Sequence, residues 1–225
     1  WSAPGELSSR ELLAANRPIV NAVRLPALYA ITDAQRYGEQ RMLEHVAVAA
    51  AAGLKLLQVR EKAMDSARRR RFVRRLLDAG LPYGLQVVLN GDPEEALALG
   101  CDGVHLDAAR LLGTGSRPLA DDLWVGASCH DARELAAAGQ VGADYAVLSP
   151  VAPTPSHPAA APLGWAGFAR LCEPATLPVY ALGGVGPADL ERSWRAGAQG
   201  VAMISGLWEA ADVAAAVRRG QGAGP

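Results

Sequence analysis

Aromatic residues are scarce in this chain: five Trp, five Tyr and two Phe make up 5% of 225 positions. Half of the residues are hydrophobic, so the core has to be built from Ala, Leu and Val. Cysteine is scarce as well. Cys101, Cys129 and Cys172 are odd in number and widely spaced, which argues against a disulfide frame or a zinc site and for reduced thiols in a cytoplasmic protein. Neither sign of charge is in excess: 22 Lys and Arg face 23 Asp and Glu, for a net charge of -1. No nucleic-acid binding is expected, because that needs a basic face to neutralise phosphates. Apolar runs are broken by Gly, Arg or Pro well short of the roughly 18 residues of a membrane span. A basic stretch followed by an apolar leader is missing from the first residues. No P-loop, dinucleotide Gly fingerprint or Ser-His-Asp elbow is found. The first residue is Trp1 rather than Met, and the chain is expected to be a piece of a longer polypeptide.

What is present is alternation. Short apolar runs read as strands at Leu28–Thr32, Lys55–Arg60, Gln86–Asn90, Gly103–Leu106, Trp124–Ser128, Tyr145–Leu148, Val179–Leu182 and Val201–Ile204. Both faces of each are apolar, as in a buried parallel sheet. Helical patterns lie between them, at Gln40–Ala52, Ser66–Gly80, Pro93–Leu99, Asp131–Gly139, Trp165–Cys172, Pro187–Ala196 and near Ala210–Arg219. Gly53, Gly80, Gly100, Gly139 and Gly197 follow Ala-rich helix ends, where a left-handed cap favours Gly. Eight β-then-α units indicate an α/β protein, a single (β/α)8 TIM barrel with a short N-terminal extension. The expected organisation is an extension over 1–26, a barrel over 27–219 and a flexible tail over 220–225.

In such a barrel the chemistry sits at the C-terminal ends of the strands. Strand two ends Gln58-Val59-Arg60-Glu61-Lys62, and period-two alternation aims Gln58, Arg60 and Lys62 the same way. Two cations at the mouth call for an anionic partner, and Arg matches a pair of phosphate oxygens. The plainer alternative is an ion pair of Arg60 with Asp33 or Glu61. After strands seven and eight, Gly183 and Gly184 expose backbone N–H groups and Ser205 adds a hydroxyl, the ordinary place for a phosphate in a barrel. The Pro-rich loop 150–158 is long for a βα turn, and its Thr154, Ser156 and His157 are candidate phosphate donors. His105 reads either as a general base or as a satisfied core residue. His130 is expected to cap a turn and His45 to be structural. Asp92 and Asp107 end neighbouring strands and are candidate oxygen ligands for Mg²⁺.

These segments carry a resemblance. Leu28-Tyr29-Ala30-Ile31-Thr32-Asp33, Gln58-Val59-Arg60-Glu61-Lys62, Gly103-Val104-His105-Leu106, Gly126-Ala127-Ser128-Cys129-His130, Leu182-Gly183-Gly184-Val185 and Ala202-Met203-Ile204-Ser205 are similar, in order and spacing, to the thiamin phosphate synthase and thiazole tautomerase superfamily of barrels. The resemblance implies thiamine biosynthesis: a transferase that couples hydroxymethylpyrimidine diphosphate to a thiazole phosphate, assisted by Mg²⁺. It implies that Arg60 and Lys62 act on the diphosphate, with Asn90 holding it and Gln58 beside them. It assigns Thr154, Ser156, Gly184 and Ser205 to the thiazole phosphate, and puts Ser128, His157 and Gly183 among the substrate-binding residues.

The chain also departs from that pattern. Gly91 stands where the synthases place a Mg²⁺-binding Asp after strand three, and Arg110 where they place another after strand four. The expected Mg²⁺ site is therefore weakened, with Asp92 and Asp107 as substitutes. Pro150 stands where the tautomerases have their catalytic His. Three readings stay open: an active synthase, a catalytically degenerate or regulatory barrel that binds phosphorylated thiamin precursors, and a related isomerase using His105 or His130 as base. Finally, Trp1-Ser2-Ala3-Pro4-Gly5-Glu6-Leu7 and Ala14-Ala15-Asn16-Arg17-Pro18-Ile19-Val20 resemble the C-terminal end of a MutT-type Nudix hydrolase. That implies a fused N-terminal Nudix domain as a partner of the barrel; a cloning remnant or an unrelated helical extension is the alternative. A homodimer is compatible with the sequence.

Overall fold

The structure is a computed structural model, and it describes residues 16–154 and 161–222. Eight parallel strands close into a barrel in chain order: β1 (Leu28–Ile31), β2 (Leu56–Val59), β3 (Gln86–Asn90), β4 (Gly103–Leu106), β5 (Trp124–Cys129), β6 (Tyr145–Leu148), β7 (Val179–Leu182) and β8 (Gly200–Met203). All eight expected strands are found, with no end displaced by more than a single residue. Before β1 lies α1 (Arg17–Arg24); after it come α2 (Ala34–Tyr37) and α3 (Glu39–Ala51). The later connections are α4 (Ser66–Gly80), α5 (Pro93–Leu99), α6 (Ala108–Gly113), α7 (Ala132–Val141), α8 (Gly164–Cys172), α9 (Leu190–Arg195), α10 (Ser205–Trp208) and α11 (Val213–Gly222). The helix expected over Pro187–Ala196 begins as a 3-10 turn at Pro187–Asp189 before α9.

Aspartate restarts the chain after most strands. Asp33, Asp65, Asp92, Asp107 and Asp131 each accept a hydrogen bond from a backbone N–H in the first turn of the following helix. Such caps satisfy donors that have no partner within the helix. One oxygen of each carboxylate, Oδ1, is thereby committed to local structure.

Strand alternation divides the core in two. One cluster lies between strands and helices and uses Ala30, Leu57, Val59, Val87, Leu89, Val104 and Ala127, with Met42, Phe72 and Phe168 from the helices. The other fills the barrel and holds Tyr29, Ile31, Leu56, Val88, Trp124, Tyr145, Val147, Tyr180 and Ala202. Three of the five tyrosines, with Trp124, thus lie inside the barrel. Gly126 is what admits one of them, since a Cβ there would overlap the Tyr145 ring.

The end of the barrel opposite the strand C-termini is closed by α1. Asp144, buried at the start of β6, accepts from Arg17 Nε at 3.1 Å, Asn21 Nδ2 at 2.9 Å, Arg117 at 2.8 Å and the Val125 N–H at 2.8 Å. Leu25 enters the inner cluster, and the Arg24 guanidinium stacks over Trp124. From Arg17 onward the N-terminal extension is therefore packed on the barrel as its floor. The last helix runs to Gly222, past the expected end at Arg219.

Candidate functional site

Period-two alternation continues beyond the inner cluster to the strand C-termini, where polar side chains replace the apolar ones. A pocket at that end is lined by Gln58, Arg60 and Lys62 from β2 and its extension, Asn90 from β3, His105 and Asp107 from β4, and Ser128 from β5. Thr154, Gly183, Gly184 and Ser205 line its opposite side, and Ile31, Val147, Leu182, Ala202 and Ile204 form an apolar floor. The structure thus brings together most of the residues singled out in the sequence. Ser156 and His157 lie outside the described residues.

The cations at the end of β2 are held in place by their backbone. The Arg60 N–H donates to Thr32 Oγ1 at 3.0 Å, and the buried Glu61 accepts the Ala34 N–H on both oxygens, at 2.9 and 3.1 Å. Burial pushes the Glu61 carboxyl up, while the hydrogen bonds from Thr32 and Ala34 oppose that shift. Glu61 is therefore spent on the β1–α2 turn, and Asp33 is spent on capping α2. The ion pair of Arg60 with either of them does not form. Among the described residues neither Arg60 nor Lys62 lies within ion-pair distance of a carboxylate. Half-buried Arg60 and exposed Lys62, unpaired on one wall, give the pocket a preference for an anion.

The opposite side is shaped by two glycines in the left-handed region, Gly183 at φ 98 and Gly184 at φ 64. They let the loop after β7 press against the loop after β6: a Cβ on Gly184 would lie 2.6 Å from the Pro153 carbonyl oxygen. The loops are joined by Val151 N–H to Leu182 O at 2.8 Å and Ala152 N–H to Gly183 O at 2.9 Å. Thr154 and Ser205 flank this corner, so hydroxyl donors and bare backbone meet there.

His105 is fully enclosed. Nδ1 is 3.2 Å from the Tyr29 hydroxyl and Nε2 is 2.9 Å from Ser128 Oγ. Burial, reinforced by the field of Arg60, lowers its pKa to about 3. It is neutral at physiological pH and too weak a base for proton abstraction, so it matches the core reading better than the general-base one. His130 is exposed and lines the pocket; Nδ1 and its own N–H both meet Glu134 Oε2, at 2.9 and 2.7 Å, so it also braces the turn before α7. His45 packs near Trp208 on α3, away from the pocket.

The two candidate metal ligands separate. Asp92 accepts from the Glu94 and Glu95 N–H groups and faces the outer groove between α4 and α5. The chain leaves β3 at Gly91 to start α5, and the capping role turns Asp92 away from the mouth. Asp107 does line the pocket, although Oδ1 accepts the Arg110 N–H at 2.9 Å. Among the described residues no three His, Cys, Asp or Glu side chains gather around one point. Mg²⁺ is ordinarily held by one or two carboxylates plus substrate phosphates. Asp107, with the Asn90 carboxamide on the adjacent strand, meets the lower limit of that requirement.

Sequence reasoning did not single out the apolar floor or the tyrosines beneath it. The signal was available, because Ile31, Val147 and Leu182 share the strand parity of Gln58 and Asn90. Among the described residues no helix is long and apolar enough to cross a membrane.

Comparison with known proteins bears on this geometry. The family described as thiamine monophosphate synthase matches residues 28–207. The chain is 38% identical over 200 residues to a thiamine-phosphate synthase of Chromobacterium violaceum, covering 87% of this chain and 94% of that protein. It is 36% identical over 210 residues to the thiamine-phosphate synthase of Bordetella avium, covering 88% and 95%. Among solved structures, thiamine phosphate pyrophosphorylase from Pyrococcus furiosus superposes with a TM-score of 0.72 at 24% identity, over 93% of this chain and 96% of that one.

Proposed function

Because the chain belongs to the thiamine monophosphate synthase family, we propose that it joins hydroxymethylpyrimidine diphosphate to a thiazole phosphate, releasing diphosphate. The observation that carries this reading is the pairing, across one apolar-floored pocket, of two unpartnered cations with a glycine and hydroxyl corner. The floor suits a flat heterocycle. The two polar sides suit two phosphorylated substrates.

The C–O bond between the pyrimidine methylene and the diphosphate breaks, and its electron pair leaves with the diphosphate. The thiazole nitrogen then gives its lone pair to the methylene carbon, and the new C–N bond carries the positive charge. Arg60 and Lys62, on one wall of the pocket, oppose the charge that grows on the departing diphosphate. Asn90 holds the diphosphate with them, and Gln58 lies beside it on the same wall. Gly183, Gly184, Thr154 and Ser205 hold the thiazole phosphate, which sets the nitrogen for attack. A neutral His105 does not repel the cationic carbon formed above it. Mg²⁺, when bound with Asp107 and Asn90, supplies further positive charge to the diphosphate. Gly91 and Arg110 leave that ion fewer protein anchors, which supports a weakened Mg²⁺ requirement or affinity and keeps a binding-only barrel as the second reading.

Incubation with both substrates and Mg²⁺, followed by chromatography for thiamin phosphate, tests the proposal. Turnover above the uncatalysed background is expected. Tight binding of thiazole phosphate or thiamin phosphate by calorimetry, without turnover, would favour the binding-only barrel. The fused Nudix domain is proposed on residues 1–20 alone, most of which lie outside the described residues; the coding sequence upstream of Trp1 tests it. A cytoplasmic location and a homodimer complete the proposal, tested by fractionation and by light scattering.

A further inference from the structure

Gln58 and His105 at the pocket lining belong to a buried polar cluster that reaches down to Tyr29 and Tyr145. Three groups converge on the Tyr29 hydroxyl: Gln58 Nε2 at 2.8 Å, Tyr145 Oη at 2.9 Å and His105 Nδ1 at 3.2 Å. Gln58 Nε2 can only donate. Among the described residues the Tyr145 hydroxyl has no hydrogen-bond partner other than Tyr29, so its proton is placed only if it, too, is given to Tyr29. Tyr29 then accepts twice, and its own proton has one acceptor left, His105 Nδ1. A neutral imidazole that accepts at Nδ1 carries its proton on Nε2, and that proton goes to Ser128 Oγ, 2.9 Å away. Running the chain in the opposite sense leaves the buried Tyr145 O–H with no acceptor, which is costly in a closed interior.

We propose that Tyr145, Tyr29 and His105 form a one-way hydrogen-bond chain that fixes Ser128 as a donor toward the pocket. Having accepted from His105, the Ser128 hydroxyl presents its proton to the ligand. The position therefore selects a ligand atom with a lone pair, such as a ring nitrogen, and disfavours an analogue bearing N–H or C–H there. Tyr29 and His105 are positioning residues that act through Ser128, while Tyr145 fills a second acceptor position on the Tyr29 oxygen. This inference adds a specificity element to the proposed function, and its central claim, the tautomer of His105, stands independently of turnover.

The test is the ¹⁵N spectrum of the His105 imidazole in the ligand-free full chain, with its signals assigned by their loss in His105→Gln. The wild type is expected to show Nε2 protonated and Nδ1 bare. Tyr145→Phe should keep that state, because Tyr29 still has only His105 to donate to. Tyr29→Phe should move the Nδ1 signal, because that nitrogen loses the hydrogen bond it accepts. A wild-type His105 protonated on Nδ1 overturns the proposal whether or not the variants fold, and so does a folded Tyr29→Phe with an unchanged spectrum. In the coupling assay Ser128→Ala should lower kcat/KM by about tenfold, the scale of one lost hydrogen bond, and Ser128→Thr should recover most of it. Equal kcat/KM for wild type and Ser128→Ala also overturns the proposal. A chain that makes no thiamin phosphate yet shows the Nε2 tautomer refutes the proposed synthase function alone.

Discussion

His105→Gln should remove a defined part of the acid sensitivity of this protein. Burial and the neighbouring Arg60 lower the folded-state pKa of His105 from 6.5 to about 3. The unfolded chain therefore binds a proton at this residue over a pH range in which the folded chain does not. The sign follows from linkage: the contribution to stability is fully present above about pH 6.5 and is lost as pH falls toward about 3. Each pH unit separating the folded and unfolded values is worth about 1.4 kcal/mol, so the whole effect is about 5 kcal/mol. Between about pH 7 and pH 5 the expected loss is about 2 kcal/mol, or roughly 4–8 °C in Tm for a chain of this size. Urea unfolding followed by tryptophan fluorescence at the two pH values measures it. The variant should lose about 2 kcal/mol less than the wild type over that interval. Burial lowers the His45 pKa as well, and the comparison between the two proteins cancels that contribution. Equal losses in wild type and variant would refute the reasoning, because they would mean that His105 takes up its proton in the folded state as readily as in the unfolded one.

Further outcomes are expected at other sites. Arg60→Ala should lower kcat/KM by about 10²–10³ through loss of a preorganised charge at the leaving group, with Lys62→Ala acting in the same direction; unchanged kinetics would remove the diphosphate assignment. Gly184→Ala should raise KM for the thiazole phosphate and leave KM for the diphosphate substrate much less affected, since its Cβ would meet Pro153 and its positive φ disfavours a side chain. Asp144→Ala should cost about 2–5 kcal/mol in urea unfolding, because it leaves the buried Asn21 amide and Val125 N–H without their acceptor and Arg17 and Arg117 with Asp121 alone. Gly91→Asp, at a position where a Cβ meets only Leu89 at ordinary contact distance, should lower the Mg²⁺ concentration needed for half-maximal turnover; no change would remove the lost carboxylate as the cause of weak metal binding.

The strands and the parity of their side chains can be read along the chain, because alternation is a local property of extended backbone. Parity alone puts Gln58, Arg60, Asn90 and Ser128 at one mouth. Asp92 shows the limit. Its nearness along the chain to Asn90 suggests the same mouth, but the backbone turns at Gly91 and the carboxylate is used as a helix cap. Arg60 shows another. Whether it is free for a ligand depends on where Glu61 and Asp33 find their partners, and both find backbone N–H groups. The helix before β1 is amphipathic, but the face it seats on the barrel is the polar one: Asn21 is buried and Ile19 and Val23 are exposed, because its partner is Asp144, more than a hundred residues away in sequence.

Period-two strands, capped helices and glycine turns are short-range rules. They suffice for the eight-unit barrel, for the end of it that carries the chemistry and for most of the residues that line the pocket. Which charges stay unpaired, which carboxylates remain available and which way the protons beneath the pocket point are matters of another kind. They were settled by the closed fold, since each depends on contacts between groups far apart in the chain. Tyr29, His105 and Tyr145 lie on three different strands, and their hydroxyl and ring nitrogen atoms meet only because the barrel closes.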